Sequence, residues 1–234
     1  MKKSFIVLLS FLFLCCSNKQ SITKEKESNQ IQNTKDSIVD ARLMSLYFKV
    51  KGNSSRVFLD TAMNVIDSML FVNKDNSIKQ IKYAIQKIQF YTLVNRMDSA
   101  VSFIMHNNSM KWEIVGGPYY KDILRYRLFA MKAKDNNDTC LYRENIKKAL
   151  CLVEKYISEN EEEYASFIRK GMKGQNGRFL LTIKEYVYYS YHLYGQEEAD
   201  KRLMMYKEKY QLNKDDISQL RQLYNLDIMD FVPF

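Results

Sequence analysis

Between residues 77 and 105, apolar side chains recur every three or four positions, which is the spacing of one helix face. The first half of this segment has isoleucine along that face and lysine or glutamine opposite it. A second apolar stripe begins at Met97, directly after the polar pair Asn95 and Arg96. A connection this short makes two helices antiparallel neighbours. The pattern therefore predicts a helical hairpin over this segment.

Similar periodicity predicts helices along most of the remaining chain. The predicted helices cover residues 37–51, 56–74, 119–134, 139–158, 161–172, 179–194 and 196–210, with a last one that Asn213 caps. Pro118 is expected to start the helix that follows it, and Ser158 to open a capping box. Either Asp138 or Thr139 is the expected N-cap of its helix. The 234 residues include only two prolines and seven glycines, and so few helix breakers favour an all-α fold.

Tyr91 and the run from Asn95 to Ala100 resemble the tetratricopeptide repeat, in which an aromatic residue and a turn precede an alanine of the second helix. The repeat usually has glycine where Asn95 stands, and asparagine tolerates the same left-handed backbone. Further matches occur at Ala62, Tyr191, Gly195 and Ala199. Ala62 lies 38 residues before Ala100, near the family period of about 34, whereas the match at residues 135–138 is poor. The resemblance implies antiparallel hairpins stacked as a short right-handed α-solenoid.

Two lysines precede an apolar run over residues 5–14 that ends at Cys15 and Cys16. The run is shorter than the ~20 residues of a transmembrane helix, and the charges fit a secretory signal. The segment resembles the signal peptide of bacterial lipoproteins, in which a cysteine becomes lipidated and N-terminal. Leu12 at the third position before the cysteine favours Cys15, but bulky Leu14 fits poorly next to the cleavage site, which favours Cys16. An ordinary cleaved signal is the remaining alternative.

Residues 17–35 have almost no apolar side chains and no periodicity, which predicts a disordered tether. The predicted organisation is a signal peptide at 1–15, a tether at 16–36 and a helical domain at 37–234. The leader resembles those of Bacteroidota lipoproteins, in which an acidic cluster after the cysteine favours export to the cell surface. This chain has no such cluster. The resemblance implies a lipid (palmitate) anchor in the outer membrane, with the periplasmic face favoured and surface exposure left open.

Residues that suggest catalysis or metal binding are sparse. The formal net charge is +9, but lysines alternate with acids along helix faces, which favours a solvated surface over nucleic-acid binding. His106 and His192 are far apart, and His192 is expected to be packed or at a groove edge. Residues 170–178 are basic and glycine-spaced, and a flexible connector is favoured over an anion site. No metal, cofactor or enzymatic reaction is expected, because no matching motif occurs.

The cysteines and tyrosines of the helical region carry further expectations. Cys140 and Cys151 lie eleven residues apart on one predicted helix, so about 16 Å separates their Cα atoms. A disulfide needs less than about 7 Å, so these cysteines should not pair. Cys151 is expected in the core and Cys140 near the helix start. Five tyrosines crowd the predicted helix at 179–194, and core packing is favoured over groove lining.

The helical-repeat resemblance implies a concave surface, built from the first helix of each hairpin, that binds a protein or peptide. The candidate contact residues are Lys82, Gln86, Gln89, Tyr126, Tyr188 and Tyr191. The leading hypothesis is a lipid-anchored envelope scaffold or adaptor with a protein or peptide partner. One alternative is a periplasmic immunity protein that neutralises a toxin. The least favoured is an envelope hydrolase that uses the glutamates at 161–163 or the basic segment. The oligomeric state is left open.

Overall fold

The computed structural model describes residues 23–53, 56–169, 177–210 and 212–225. Every regular element within these ranges is helical, and they contain no strand. The helices are α1 (Thr23–Asn53), α2 (Arg56–Val72), α3 (Ser77–Leu93), α4 (Met97–His106), α5 (Glu113–Gly116), α6 (Tyr120–Asp135), α7 (Thr139–Glu159), α8 (Glu161–Arg169), α9 (Gly177–Tyr194), α10 (Gln196–Tyr210) and α11 (Lys214–Arg221), followed by a 3₁₀ turn (Gln222–Asn225). The predicted all-α class is confirmed, whereas the right-handed solenoid stays a prediction. No helix in the described ranges is both long and apolar enough to cross a membrane.

Helix α1 begins at Thr23, whereas the sequence predicted a disordered tether up to residue 36 and a helix from Ser37. The structure therefore has helix over much of the predicted tether. This stretch is rich in lysine, glutamate and glutamine and lacks proline and glycine, so it extends an existing helix at low cost. The signal-like segment with Cys15 and Cys16 lies outside the described residues, as do residues 170–176 of the basic segment. Expectations for both remain predictions.

The chain divides into two compact units, and the boundary falls between Val65 and Ile66 within α2. The buried apolar side chains of the first unit are Leu43, Leu46, Val50, Leu59 and Ala62. The Lys49 ammonium lies 5.3 Å from the centroid of the Phe58 ring, which brings α1 and the start of α2 together. Ala62, which matches the repeat pattern, has no exposed surface.

Helices α3 and α4 form the hairpin predicted from the apolar pattern. Asn76 caps α3, because its side-chain oxygen accepts a hydrogen bond from the Lys79 N–H at 3.0 Å. At the turn, Asn95 has φ 58°, and the Arg96 N–H donates to the Tyr91 carbonyl at 2.8 Å. This is the left-handed turn that the tetratricopeptide resemblance implies at this position.

Ile78 departs from the predicted buried stripe, since it is 69% exposed. Helix α4 has 10 residues against the 17 of α3, so it extends back only about 15 Å along its partner. Ile78 lies in the first turn of α3, beyond that reach, whereas Ile85 and Ile88 are covered. Ile81 is also beyond that reach but is buried, so the length of α4 alone does not decide where burial ends.

Two later hairpins also turn through one residue of positive φ. Between α6 and α7, Asn137 has φ 57°, and the Asp138 N–H donates to the Ala133 carbonyl at 2.8 Å. Between α9 and α10, Gly195 has φ 84°, and its N–H donates to the Tyr191 carbonyl at 2.8 Å. The turn at Asn137, where the sequence resemblance was poor, is therefore left-handed like the other two.

In the second unit, helices pack largely on their neighbours along the chain. Helix α3 packs against α4, α4 against α6, α6 against α7, α7 against α9, and α9 against α10. Helix α9 also contacts α5, α11 and the 3₁₀ turn. Several of the largest fully buried side chains are tyrosines, namely Tyr83, Tyr120, Tyr156, Tyr164, Tyr188 and Tyr189. Each brings a hydroxyl that needs a polar neighbour inside an otherwise apolar core.

The Gly116–Gly117–Pro118 break is a tight turn before α6, and α6 begins at Tyr120 instead of the predicted Pro118. Gly117 has φ 84°, and a Cβ atom there would lie 2.5 Å from the Tyr156 ring. Glycine is therefore required twice, for the backbone conformation and for the close approach of α7. The turn packs against two buried tyrosine rings, Tyr120 beside Gly116 and Tyr156 beside Gly117.

The structure tests three of the predicted helix caps. The Asp138 side chain accepts from the backbone N–H three residues on and caps α7. Asn213 and Asp216 form a reciprocal capping box at α11. Both predictions are confirmed. The capping box predicted at Ser158 is wrong, because Ser158 lies inside α7 and its hydroxyl donates to the Lys155 carbonyl at 2.8 Å.

Cys140 and Cys151 are both free and exposed. The absence of a disulfide between them confirms the prediction, but the expected place of Cys151 in the core is wrong. The buried face of α7 includes Ile146, Leu150 and Val153. Cys151 follows Leu150 by a rotation of about 100°, which turns its thiol away from that face.

Candidate functional site

Five tyrosines of α9 divide between the core and the surface. Tyr186, Tyr188 and Tyr189 are buried, whereas Tyr191 is half-buried and Tyr194 is 44% exposed. Core packing, which the sequence favoured, therefore accounts for the first three. The last two lie where α9 ends, and there they form part of a surface groove.

This groove is an open depression of about 560 Å³ at the C-terminal end of α9 and the turn into α10. Its lining consists of Arg143, Tyr191, His192, Leu193, Tyr194 and Gly195. Arg143 comes from the first turns of α7, which packs beside α9. A Cβ atom at Gly195 would meet open space, so the left-handed backbone, and not crowding, favours glycine there.

The aromatic walls of the groove are held by contacts beneath them. The Tyr191 ring stacks on Tyr224, with ring centroids 4.6 Å apart and planes 9° from parallel. The Tyr142 hydroxyl lies 3.2 Å from His192 Nδ1, which joins α7 to α9. The His192 ring lies 4.3 Å from the Tyr188 ring of the core. The expectation that His192 is packed or at a groove edge is confirmed on both counts, and these walls are fixed before any ligand arrives.

Arg143 lines the groove and Arg202 lies against its Tyr194 wall, and the two arginines differ in their partners. The Arg202 guanidinium covers the Tyr194 ring at 4.3 Å and pairs with Glu154 at 2.9 Å and Glu198 at 3.2 Å. Arg143 is exposed, and within the described ranges it makes no hydrogen bond, ion pair or ring contact. The uncompensated positive charge of the groove is therefore that of Arg143.

A buried ion pair lies in the core that supports the groove. Arg127 Nη1 on α6 is 3.6 Å from Glu185 Oε1 on α9, and these side chains are only 6% and 1% exposed. The Tyr189 hydroxyl lies 3.5 Å from the same carboxylate oxygen. Burial raises the pKa of Glu185 to about 7, against the lowering effects of the Arg127 charge and the Tyr189 hydrogen bond. Burial also raises the pKa of Tyr120 and Tyr189, so both hydroxyls stay neutral.

The sequence did not predict this pair, because charged residues are expected at the surface. One signal was present, since Arg127 falls four residues after Ile123 and three before Ala130, on the buried stripe of α6. A cation on a buried apolar stripe needs an acidic partner, because a buried charge without one is costly. Nothing in the local pattern identifies Glu185, which is 58 residues away along the chain.

The predicted contact residues occupy different surroundings. Those on α3 are Lys82, Gln86 and Gln89, all half-buried. Tyr126 on α6 is half-buried and has two cationic groups over its ring, at 5.1 and 5.7 Å. Tyr188 has no exposed surface, so we assign it to the core and not to a contact surface. Tyr191 is the one predicted contact residue among those that line the groove.

Arg143 was not among the predicted contacts. It occupies an exposed position on α7, in a region where lysines and glutamates alternate, so its sequence context resembles an ordinary solvated face. Only the packing of α7 beside the end of α9 brings it next to Tyr191 and His192. Sequence periodicity does not indicate which helices pack together when they are far apart along the chain.

Groups of three or more His, Cys, Asp or Glu suited to a metal ion do not occur among the described residues. His106 instead interacts with its own helix, because its Nδ1 lies 2.7 Å from the Ser102 carbonyl. No family model, no curated protein and no solved structure matches the chain. The function must therefore be inferred from the residues and the geometry of the chain itself.

Proposed function

We propose that the protein is a lipid-anchored adaptor of the cell envelope, in which stacked tetratricopeptide-like hairpins bind another protein or a peptide. The signal-like segment that ends at Cys16, with Cys15 as the alternative, supports the anchor. The groove at the end of α9 is the observation that carries the binding function. The hairpins provide the rigid support that keeps this groove in place.

The composition and size of the groove support protein or peptide binding. Tyrosine and arginine are enriched where proteins contact partners, because they combine apolar area with directed hydrogen bonds. The volume of about 560 Å³ falls in the range of ligand sites, roughly 300–1,000 Å³. Tyr191 is already stacked on Tyr224, so little side-chain entropy remains to be lost on binding.

Site-specific cross-linking in intact envelopes would test the binding function. A photo-reactive residue replaces Tyr194 at the groove, or Met205 on α10 as the control, which is 69% exposed but does not line the groove. We expect the Tyr194 position to give one defined protein adduct that the Met205 position does not give. An absence of adducts at Tyr194, or the same adducts from both positions, would contradict the proposal.

Radiolabelled palmitate would test the anchor. We expect Cys16→Ala to remove the label and release the chain from the membrane fraction, with Cys15→Ala retaining both. The reverse result would assign lipidation to Cys15. Retention of the label and of membrane association in the double variant would contradict lipid anchoring at either cysteine.

A further inference from the structure

We infer that the groove recognises a single acidic side chain of the partner, with Arg143 contacting the carboxylate and Tyr191 and Tyr194 flanking it. The inference rests on the proposed binding function and adds the chemistry of the ligand. It follows from the arrangement of charges and rings at the end of α9.

Charge complementarity is the first step. Arg202 is the other arginine at this surface, and it is compensated by Glu154 and Glu198. A nearby pair on α7, Lys148 with Glu144 at 2.6 Å, is also neutral overall. Arg143 is left with its full charge and with all its guanidinium donors unused within the described part of the chain. A ligand carboxylate would use those donors without displacing any existing ion pair.

The geometry of arginine favours a carboxylate as the ligand group. The planar guanidinium offers two parallel N–H donors that match the two oxygens of an Asp or Glu side chain. The aromatic rings of Tyr191 and Tyr194 lie in the same lining and would cover part of such a pair on binding. Lower local polarity strengthens a charge-assisted hydrogen bond.

The number of cations argues against polyanionic ligands. A nucleic acid or a polyphosphate is held by several Lys or Arg side chains, each neutralising one phosphate. The groove lining has one uncompensated guanidinium, which suits one carboxylate. The rings beside it suit an apolar or aromatic residue next to the acid in the partner chain.

Fluorescence anisotropy with paired peptides would test this inference. The full chain, extracted in detergent, is titrated with an array of capped six-residue peptides that place Glu or Asp beside an aromatic residue. Each acidic peptide has a Gln or Asn counterpart. We expect acidic members to bind at least about tenfold more tightly than their counterparts, as one charge-assisted pair provides. This preference should weaken as salt is added.

Variants assign the preference to one residue. Arg143→Gln should remove the preference for acidic peptides, and Arg143→Lys should retain part of it because the charge remains without the fork. Lys207→Gln is the matched control, since Lys207 is exposed on α10 and absent from the lining. Arg143 is exposed, so its substitution should leave the thermal unfolding curve unchanged. An acid preference that survives Arg143→Gln, or no preference in the unsubstituted chain, would overturn the inference.

The cross-linking experiment separates this inference from the proposed function. If the Tyr194 adduct persists in Arg143→Gln at its original yield, the groove still binds a partner but not through this carboxylate contact. If the adduct is lost in Arg143→Gln and kept in Lys207→Gln, both proposals are supported. If no adduct forms in the unsubstituted chain, the proposed function itself fails.

Discussion

At the scale of single residues, Glu185 is the most unusual group in the protein. Its carboxyl is 1% exposed, and its nearest polar neighbours, Arg127 and Tyr189, lie at 3.6 and 3.5 Å. These distances are longer than those of a tight salt bridge, so the pair offsets only part of the cost of burial. Near neutral pH the folded protein therefore holds Glu185 in both its protonated and its ionised form.

A pH dependence of stability follows from this residue. Burial raises the pKa of Glu185 from 4.5 to about 7 in the folded protein, so folding favours the protonated form. Its stabilising contribution is complete below pH 4.5 and is lost as the pH rises through 7. The free energy of unfolding should fall by on the order of 1 kcal/mol per pH unit between these values. Urea unfolding at a series of pH values measures this slope.

Substitution isolates the contribution of Glu185 to that slope. Glu185→Gln keeps a similar shape without the titrating proton and should flatten the pH dependence over this range. Glu163→Gln, in the exposed first turn of α8, serves as the control and should leave the slope unchanged. An equal slope in Glu185→Gln and in the unsubstituted chain would show that another group is responsible.

At the scale of elements, three hairpin turns share one left-handed residue each, at Asn95, Asn137 and Gly195. The sequence predicted the α3–α4 hairpin and both ends of α10, because periodicity and turn residues agree there. It did not predict helix over residues 23–36, where periodicity is absent but propensity for helix is high. The exposure of Ile78 was also missed, and Tyr188, named as a contact candidate although core packing was favoured for its helix, has no exposed surface.

Gly195, in one of these turns, can be compared with Gly117, which precedes α6 and has φ 84° and ψ −176°. Gly195→Ala meets open space and should cost only the left-handed strain, about 1–2 kcal/mol. Gly117→Ala adds a methyl 2.5 Å from the Tyr156 ring and should cost clearly more, roughly 3 kcal/mol with overpacking included. Chemical denaturation of both variants gives the comparison. Equal losses at the two positions would mean that α7 yields easily at Tyr156.

At the scale of the whole molecule, the sequence predicted the fold class but not the arrangement of the site. The apolar stripes indicate which face of each helix is buried, and this determined most helix positions. The groove needs α7 and the end of α9 to meet, and these lie about fifty residues apart along the chain, as the bond from Tyr142 to His192 shows. The periodicity of apolar residues does not predict that these two helices are in contact. Of the six predicted contact residues, only Tyr191 lines the groove.

The Arg127–Glu185 pair joins α6 to α9, and we expect substitutions at its two ends to have coupled effects on the free energy of unfolding. Glu185→Leu alone leaves the Arg127 guanidinium buried without its acidic partner and should cost about 3 kcal/mol or more. Arg127→Met alone should cost less near neutral pH, because the Glu185 carboxyl, whose pKa burial already raises, can then be protonated. The double variant should cost far less than the two single losses together, because both charges leave the core. A double-mutant cycle by urea unfolding measures the coupling. Additive losses would show that each side chain acts through packing alone.

The many contacts of α9 bear on how the second unit comes apart. Helices α3 to α7 are held mainly by neighbours along the chain, so they can peel away one hairpin at a time. Helix α9 contacts α5, α7, α10, α11 and the 3₁₀ turn, so the loss of any one of these neighbours does not release it. If the proposed lipid anchor transmits tension to the N-terminal end of the chain, the N-terminal hairpins yield first and absorb the extension. The groove, at the end of α9, would keep its shape while the anchor side is stretched.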